Sequence, residues 1–83
     1  GPNPFSTNTA ITINAAQKAN VVVEISDIFG NVVKSVVENN VSGEMKVEWN
    51  GDDQSGNMLS SGTYIYKAKV GEQTFTGKIS LVR

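Results

Sequence analysis

The stretch TYIYKAKVGEQTFTGKISL, residues 63–81, decides the fold class of this chain. In its first half every second residue from 64 to 70 is apolar, and the residues between them include Lys67 and Lys69. Gly71 and Glu72 can form a tight turn, after which residues 75, 79 and 81 are apolar at matching parity. Period-two alternation on both sides of a turn predicts a β-hairpin with one buried face.

The same alternation continues toward the N-terminus, and no window keeps helical spacing for more than about one turn. Further strands are predicted over residues 11–14, 21–28, 32–37 and 45–49, after an extended start at residues 2–5. Because no helix is available to cover a single sheet, the strands must cover one another. The sequence therefore predicts an all-β sandwich of six to seven antiparallel strands in one domain, residues 1–83.

The parity of the strands also predicts the core of the sandwich. Eleven side chains fall on the inward positions: Ile11, Ile13, Val23, Ile25, Val47, Trp49, Tyr64, Tyr66, Phe75, Ile79 and Leu81. We expect Trp49 to lie between the layers, where its indole N–H needs an acceptor.

Composition excludes several classes of function. The chain has no Cys and no His, which removes thiol nucleophiles, disulfides, ordinary zinc sites and the usual general base. The net charge of −1 gives no field that would attract nucleic acid, and no apolar run is long enough for a transmembrane segment. We expect a protein that is not an enzyme, has no cofactor and no metal, and does not bind nucleic acid.

Two acidic segments could carry chemistry, and for both a structural role is the stronger interpretation. The loop of residues 50–57 has oxygen ligands at alternate positions, but it lacks the Gly and the late Glu of a calcium loop. Asp52 and Asp53 are therefore predicted to accept hydrogen bonds within a turn. Asp27 stands three residues before Gly30, and the same role is predicted for it.

The last strands carry a basic stripe. Lys67, Lys69 and Lys78 should all face solvent by parity, and they could meet an acidic partner. The simpler interpretation is that these lysines keep the strands soluble and protect an exposed edge from unwanted pairing.

Five segments in a fixed order resemble a known family: PNPF (2–5), VEISDIFGNVV (23–33), VEWNGDDQSGN (47–57), SSGTYIYKAKV (60–70) and TGKISLVR (76–83). Together they resemble the C-terminal sorting domain of cargo proteins that are exported by the type IX (Por) secretion system. The resemblance covers nearly the whole chain and implies an immunoglobulin-like sandwich.

The resemblance also implies partners and a location. Such a domain follows an upstream cargo domain, is recognised in folded form by an outer-membrane secretion translocon, and is removed by a surface sortase, so the cargo is secreted or reaches the cell surface. By the same resemblance, the recognition residues are Asp27, Gly30, Gly77, Lys78, Ile79, Leu81, Val82 and Arg83.

Two other functions stay open at this stage. An immunoglobulin-like module that braces a neighbouring domain, or one like the sandwich of flagellar hook-capping proteins, shares the D-x-x-G, W-x-G and S-G-x-Y features. A carbohydrate-binding module is less favoured, because most of the six aromatic residues fall on inward positions. Gly1 and Pro2 have the form of a scar left by a tag-removing protease.

Overall fold

The computed structural model describes residues 3–5 and 9–83 and contains five strands. They are β1 (Asn3–Phe5), β2 (Thr9–Ser26), β3 (Val32–Trp49), β4 (Gly62–Val70) and β5 (Gln73–Leu81). Within the described residues no helix is long and apolar enough to cross a membrane.

All five strands belong to one hydrogen-bonded sheet with the order β1-β5-β4-β2-β3. The four longer strands pair antiparallel, whereas β1 runs parallel to β5 and places Asn3 opposite Ile79 and Phe5 opposite Leu81. The predicted hairpin of β4 and β5 is confirmed, with Tyr64 opposite Ile79.

The sheet forms a sandwich because β2 and β3, at 18 residues each, take part in both layers. The second half of β2 pairs with β4 and with β3, but its first half pairs with β3 alone. Register shifts between Ala15 and Val21 interrupt the pairing of β2 with β3, as bulges that bend a strand do. On the N-terminal side of these register shifts, Ile11 and Ile13 line a cleft together with Tyr66 and residues 68 and 75. The first half of β2 therefore covers the β4–β5 hairpin.

The all-β class is confirmed and is consistent with an immunoglobulin-like domain, but the predicted count of six to seven strands is wrong. The predicted first two strands are one strand, β2, and the next two are β3. The small and polar residues 16–20 and 38–43 stay extended through bulges, and Asn40 and Gly43 adopt positive φ of 58° and 80° without ending β3. The expected scar at Gly1 and Pro2 lies outside the described residues.

The core is the one that parity predicts, with two exceptions. Nine of the eleven expected side chains are buried, and Ala15, Val21, Ala68 and Val70 join them. Tyr66 is half-buried and packs against the core, whereas Phe75 faces inward but is 48% exposed. The expected acceptor for Trp49 is found, because its Nε1–H donates to the carbonyl oxygen of Asp52 at 2.8 Å.

Candidate recognition surface

The turn between β2 and β3 is organised by the Asp27 carboxylate. Oδ1 accepts the backbone N–H groups of Phe29 and Asn31 at 2.9 and 3.0 Å, and Oδ2 accepts Asn31 Nδ2 at 3.1 Å. The Gly30 N–H donates to the Asp27 carbonyl oxygen at 3.1 Å, and Gly30 adopts φ of 90°, which favours glycine. The turn-stabilising role predicted for Asp27 is confirmed.

A second turn in the loop between β3 and β4 repeats this arrangement. Asp53 Oδ1 accepts the N–H groups of Ser55 and Asn57 at 2.9 Å each, and Gly56 adopts φ of 88°. The turn rests on the edge of β3, where the Gln54 N–H donates to the Val33 carbonyl oxygen and Gln54 Oε1 accepts the backbone N–H at residue 35, both at 2.8 Å. The loop therefore covers part of an edge strand that would otherwise be open.

Asp52, for which a turn role was also predicted, binds elsewhere. Its Oδ2 forms an ion pair with Lys34 Nζ at 3.0 Å, which joins the loop to β3. Within the described ranges no group of three or more acidic side chains could hold a metal ion.

The carboxyl groups of Asp27 and Asp53 have lowered pKa values, so the stability of the domain depends on pH. Hydrogen bonds from Asn31 hold the pKa of Asp27 below its ordinary value of 3.8, and those from Asn57 lower the pKa of Asp53 in the same way. A carboxyl group whose pKa is lower in the folded state stabilises the fold at pH values above its unfolded-state pKa. This stabilisation is lost as pH falls through the folded-state pKa.

We therefore expect the melting temperature to stay nearly constant between about pH 5 and 7 and to fall below about pH 4. The fall should be smaller in the double variant Asp27→Asn/Asp53→Asn, because asparagine does not titrate. Differential scanning fluorimetry across this range measures both curves, and an equal fall in the two proteins would contradict the assignment.

The Asp27 turn and the C-terminus meet at one end of the sandwich. A shallow depression of about 290 Å³ is lined by residues 27–29 and 61–64. On the other side of this segment Gly62 pairs with Leu81, and Ser61 Oγ accepts the N–H of Arg83 at 2.9 Å. The start of β4 therefore links the two regions for which the family resemblance implies recognition.

The eight predicted recognition residues divide by exposure. Lys78 and Val82 are exposed and available for direct contact, whereas Ile79 and Leu81 are buried in the core. Gly77 lies beneath the ring of Tyr66, its partner on β4, so a side chain at 77 would overlap that ring. A recognition role for these residues stays a prediction.

Arg83 does not extend away from the domain. Its guanidinium donates from Nε to the Leu59 carbonyl oxygen at 2.7 Å and from Nη2 to the Gly51 carbonyl oxygen at 2.8 Å. Since β1 also pairs along Ile79–Leu81, the end of β5 is held on both sides by this chain's own backbone.

Exposed apolar side chains at this end are a feature that sequence reasoning missed. Phe29 is 84% exposed at the tip of the turn, and its neighbour Ile28 is 63% exposed. Val82, already a recognition candidate from the sequence, follows Leu81, the partner of Gly62 in this depression, and is also exposed. We refer to these three exposed side chains as the hairpin-end surface (Ile28, Phe29 and Val82). The sequence signal for this exposed apolar surface is a pair of large apolar residues inside a turn, where strand parity gives them no inward face.

Comparison with known proteins identifies the family of this chain. Residues 4–74 match the model of the FlgD Ig-like domain family. The chain belongs to this family. No curated protein matches the sequence significantly.

Solved structures similar to this chain include FlgD proteins and PorU. FlgD of Pseudomonas aeruginosa is 26% identical with a TM-score of 0.69 over 88% of this chain. FlgD of Xanthomonas campestris, whose structure is described in terms of hook capping essential for flagellar assembly, is 25% identical with a TM-score of 0.67 over 90% of the chain. Dimeric latent PorU of Porphyromonas gingivalis is 25% identical with a TM-score of 0.74 over 98% of the chain.

This domain accounts for only part of each of these proteins. It covers 61% and 56% of the two FlgD chains and 9% of the PorU chain. The similarity therefore concerns a module, and the activities of the whole proteins do not transfer with it.

Proposed function

We propose that this FlgD Ig-like domain is a non-catalytic sorting module that directs an upstream cargo protein across the outer membrane through the type IX secretion system. In this role it is recognised in folded form by the translocon and is then removed by a surface sortase. Its cargo is secreted or displayed at the cell surface.

The similarity to PorU carries this proposal. The similarity extends over 98% of the chain. It relates the domain to the Por system, whose cargo proteins carry the sorting domain that the ordered sequence motifs resemble. The domain covers only 9% of the PorU chain, as expected when a small domain is joined to a much larger protein.

The hairpin-end surface is the contact that we assign to the translocon. Phe29, Ile28 and Val82 are exposed, whereas inward residues such as Ile79 and Leu81 support the strand from within. Exposed apolar side chains on a small soluble domain favour association with a partner, and aromatic residues often contribute most of the binding energy.

A reporter fusion tests the sorting role. A fluorescent protein with a Sec signal at its N-terminus and this domain at its C-terminus should reach the surface or medium of a type IX-competent cell. A strain without the translocon should keep the fusion in the periplasm. Periplasmic retention of the intact fusion in the competent strain would refute the proposal.

A substitution at the tip of the turn tests the surface. Phe29→Glu should reduce export of the fusion about tenfold or more, because it places a charge at the centre of an apolar contact. Val37→Glu is the matched control, since Val37 is also exposed but lies on β3 away from the turn. Both variants should unfold at nearly the temperature of the original domain, and equal export of the two would contradict the assignment.

An immunoglobulin-like accessory module that braces a neighbouring domain is the second candidate. The family match and the two FlgD structures favour it, because FlgD of Xanthomonas campestris is described as essential for flagellar assembly through hook capping. In this case deleting the domain from its full-length protein should lower the melting temperature of the neighbour. A sorting module would leave that temperature unchanged and abolish export.

A further inference from the structure

Among the residues that the structure describes, one edge of the sheet is open along most of β5. On one side β5 pairs with β4 over its whole length, but on the other side β1 pairs only with Ile79–Leu81. In the described part of the chain, residues 73–78 therefore have no strand beside them on that side. Such an edge presents unpaired N–H and C=O groups that can add another strand.

Phe75 lies in the middle of this open edge and is incompletely covered. It is opposite Ala68, which is 1% exposed, so its side chain is on the inward face of the sheet. Its exposed fraction is nevertheless 48%, because it lines the mouth of a cleft of about 260 Å³ between the layers. Ile11, Ile13 and Tyr66 line the same cleft.

We propose that a second copy of this chain covers the edge by pairing its β5 antiparallel to this β5, about a two-fold axis at Phe75. In that register Phe75 lies opposite the second copy's Phe75, and residues 74 and 73 lie opposite residues 76 and 77. Glu72, in the turn directly before β5, then lies beside the second copy's Lys78. Inward residues meet inward residues throughout, as antiparallel pairing demands.

The charges select this register. Glu72 and Lys78 are both exposed, and neither forms an ion pair with the residues that the structure describes. Shifting the axis to residue 74 or 76 removes the opposition of unlike charges and separates the two Phe75 side chains. The paired segment also ends at residue 78, where β1 begins to occupy the edge.

The contact is small, so the dimer should be weak and dependent on concentration. Each interface has two ion pairs between Glu72 and Lys78, and because these are exposed, added salt should weaken association. The inference concerns the purified chain, so its failure would leave the secretion proposal unchanged.

Charge reversal tests the register by sedimentation equilibrium between about 10 µM and about 1 mM protein, a range suited to weak association. The average mass should rise from 8.9 kDa toward the dimer. Glu72→Lys or Lys78→Glu alone should weaken association about fivefold or more, because like charges become opposed. The double variant Glu72→Lys/Lys78→Glu should restore it. A monomer at every concentration, or equal association of all four proteins, would overturn the proposal.

A cysteine at the axis provides a second measurement. The chain has no cysteine, and Cβ atoms directly opposite each other on antiparallel strands are about 4.5–5.5 Å apart, close to the distance that a disulfide bridges. Phe75→Cys should therefore form a covalent dimer under mild oxidation. Val37→Cys, on the exposed strand β3, should crosslink at least about tenfold more slowly, and equal rates would count against a Phe75-centred interface.

Discussion

Replacing Trp49 by alanine is expected to cost about 3–5 kcal/mol of unfolding free energy, the range measured for large aromatic side chains in cores. Trp49 is 1% exposed and is the largest fully buried side chain in the described residues. Its ring meets Tyr64 edge-on, with centroids 5.3 Å apart and planes at 70°. Because small domains are stable by only about 5–15 kcal/mol, this loss should remove a large share of the total stability and lower the urea midpoint clearly.

Two controls separate the contributions at this position. Trp49→Phe keeps an aromatic ring but loses the hydrogen bond to Asp52, and we expect a cost of about 1–2 kcal/mol. Met58→Ala, at a side chain that is 60% exposed, should change stability by less than about 0.5 kcal/mol. Urea unfolding followed by far-ultraviolet circular dichroism measures all three, and a cost below about 1 kcal/mol for Trp49→Ala would contradict its place in the core.

Gly51→Ala is the second substitution with a large expected effect, about 2–4 kcal/mol of destabilisation. Gly51 is buried, adopts φ of 78°, and accepts a hydrogen bond from Arg83 Nη2 at its carbonyl oxygen at 2.8 Å. An added Cβ would overlap Arg83 and lie 3.1 Å from both methyl carbons of Leu81. The substitution therefore combines backbone strain with a steric clash at the C-terminus.

Gly56→Ala is the matched control for this substitution. Gly56 has a similar φ of 88° but no atom within 4 Å of an added Cβ, so only backbone strain of about 1–2 kcal/mol applies. The difference between the two variants in urea unfolding measures the close approach of Arg83 and Leu81. If the two variants lose the same free energy, Arg83 does not pack on Gly51 as the structure has it.

Local alternation explains why the core could be predicted from the sequence. Side chains on a strand switch faces at each residue, so Val47 and Trp49 identify an inward face without any tertiary information. Phe75 shows the limit of this rule, because parity gives the face but not what covers it. Its exposure follows from its position at the cleft between the layers, which no local pattern records.

Strand ends were harder to predict than strand faces. The polar residues 38–43 were interpreted as a turn-rich segment, and no strand was predicted over residues 16–20, yet these segments continue β3 and β2 through bulges. Bulges and turns draw on the same residue types, since both need positive φ or a break in pairing. The sequence could not distinguish them, and the strand count was therefore too high.

The candidate surface was predictable in part. The Asp27 turn follows from the D-x-x-G pattern, and the same pattern followed by Asn recurs at residues 53–57, where the turn role predicted for Asp53 is confirmed. The anchoring of Arg83 could not be predicted, because its partners include backbone carbonyl groups, which every residue has.

Continuous strands that serve both layers have a consequence for how this domain opens. We expect the loss of hydrogen bonds in one layer to destabilise the other, since β2 and β3 run through both. Backbone amides at Ile13 and Val23, which lie in different layers, should therefore exchange their hydrogens in a single cooperative event and not in separate local openings.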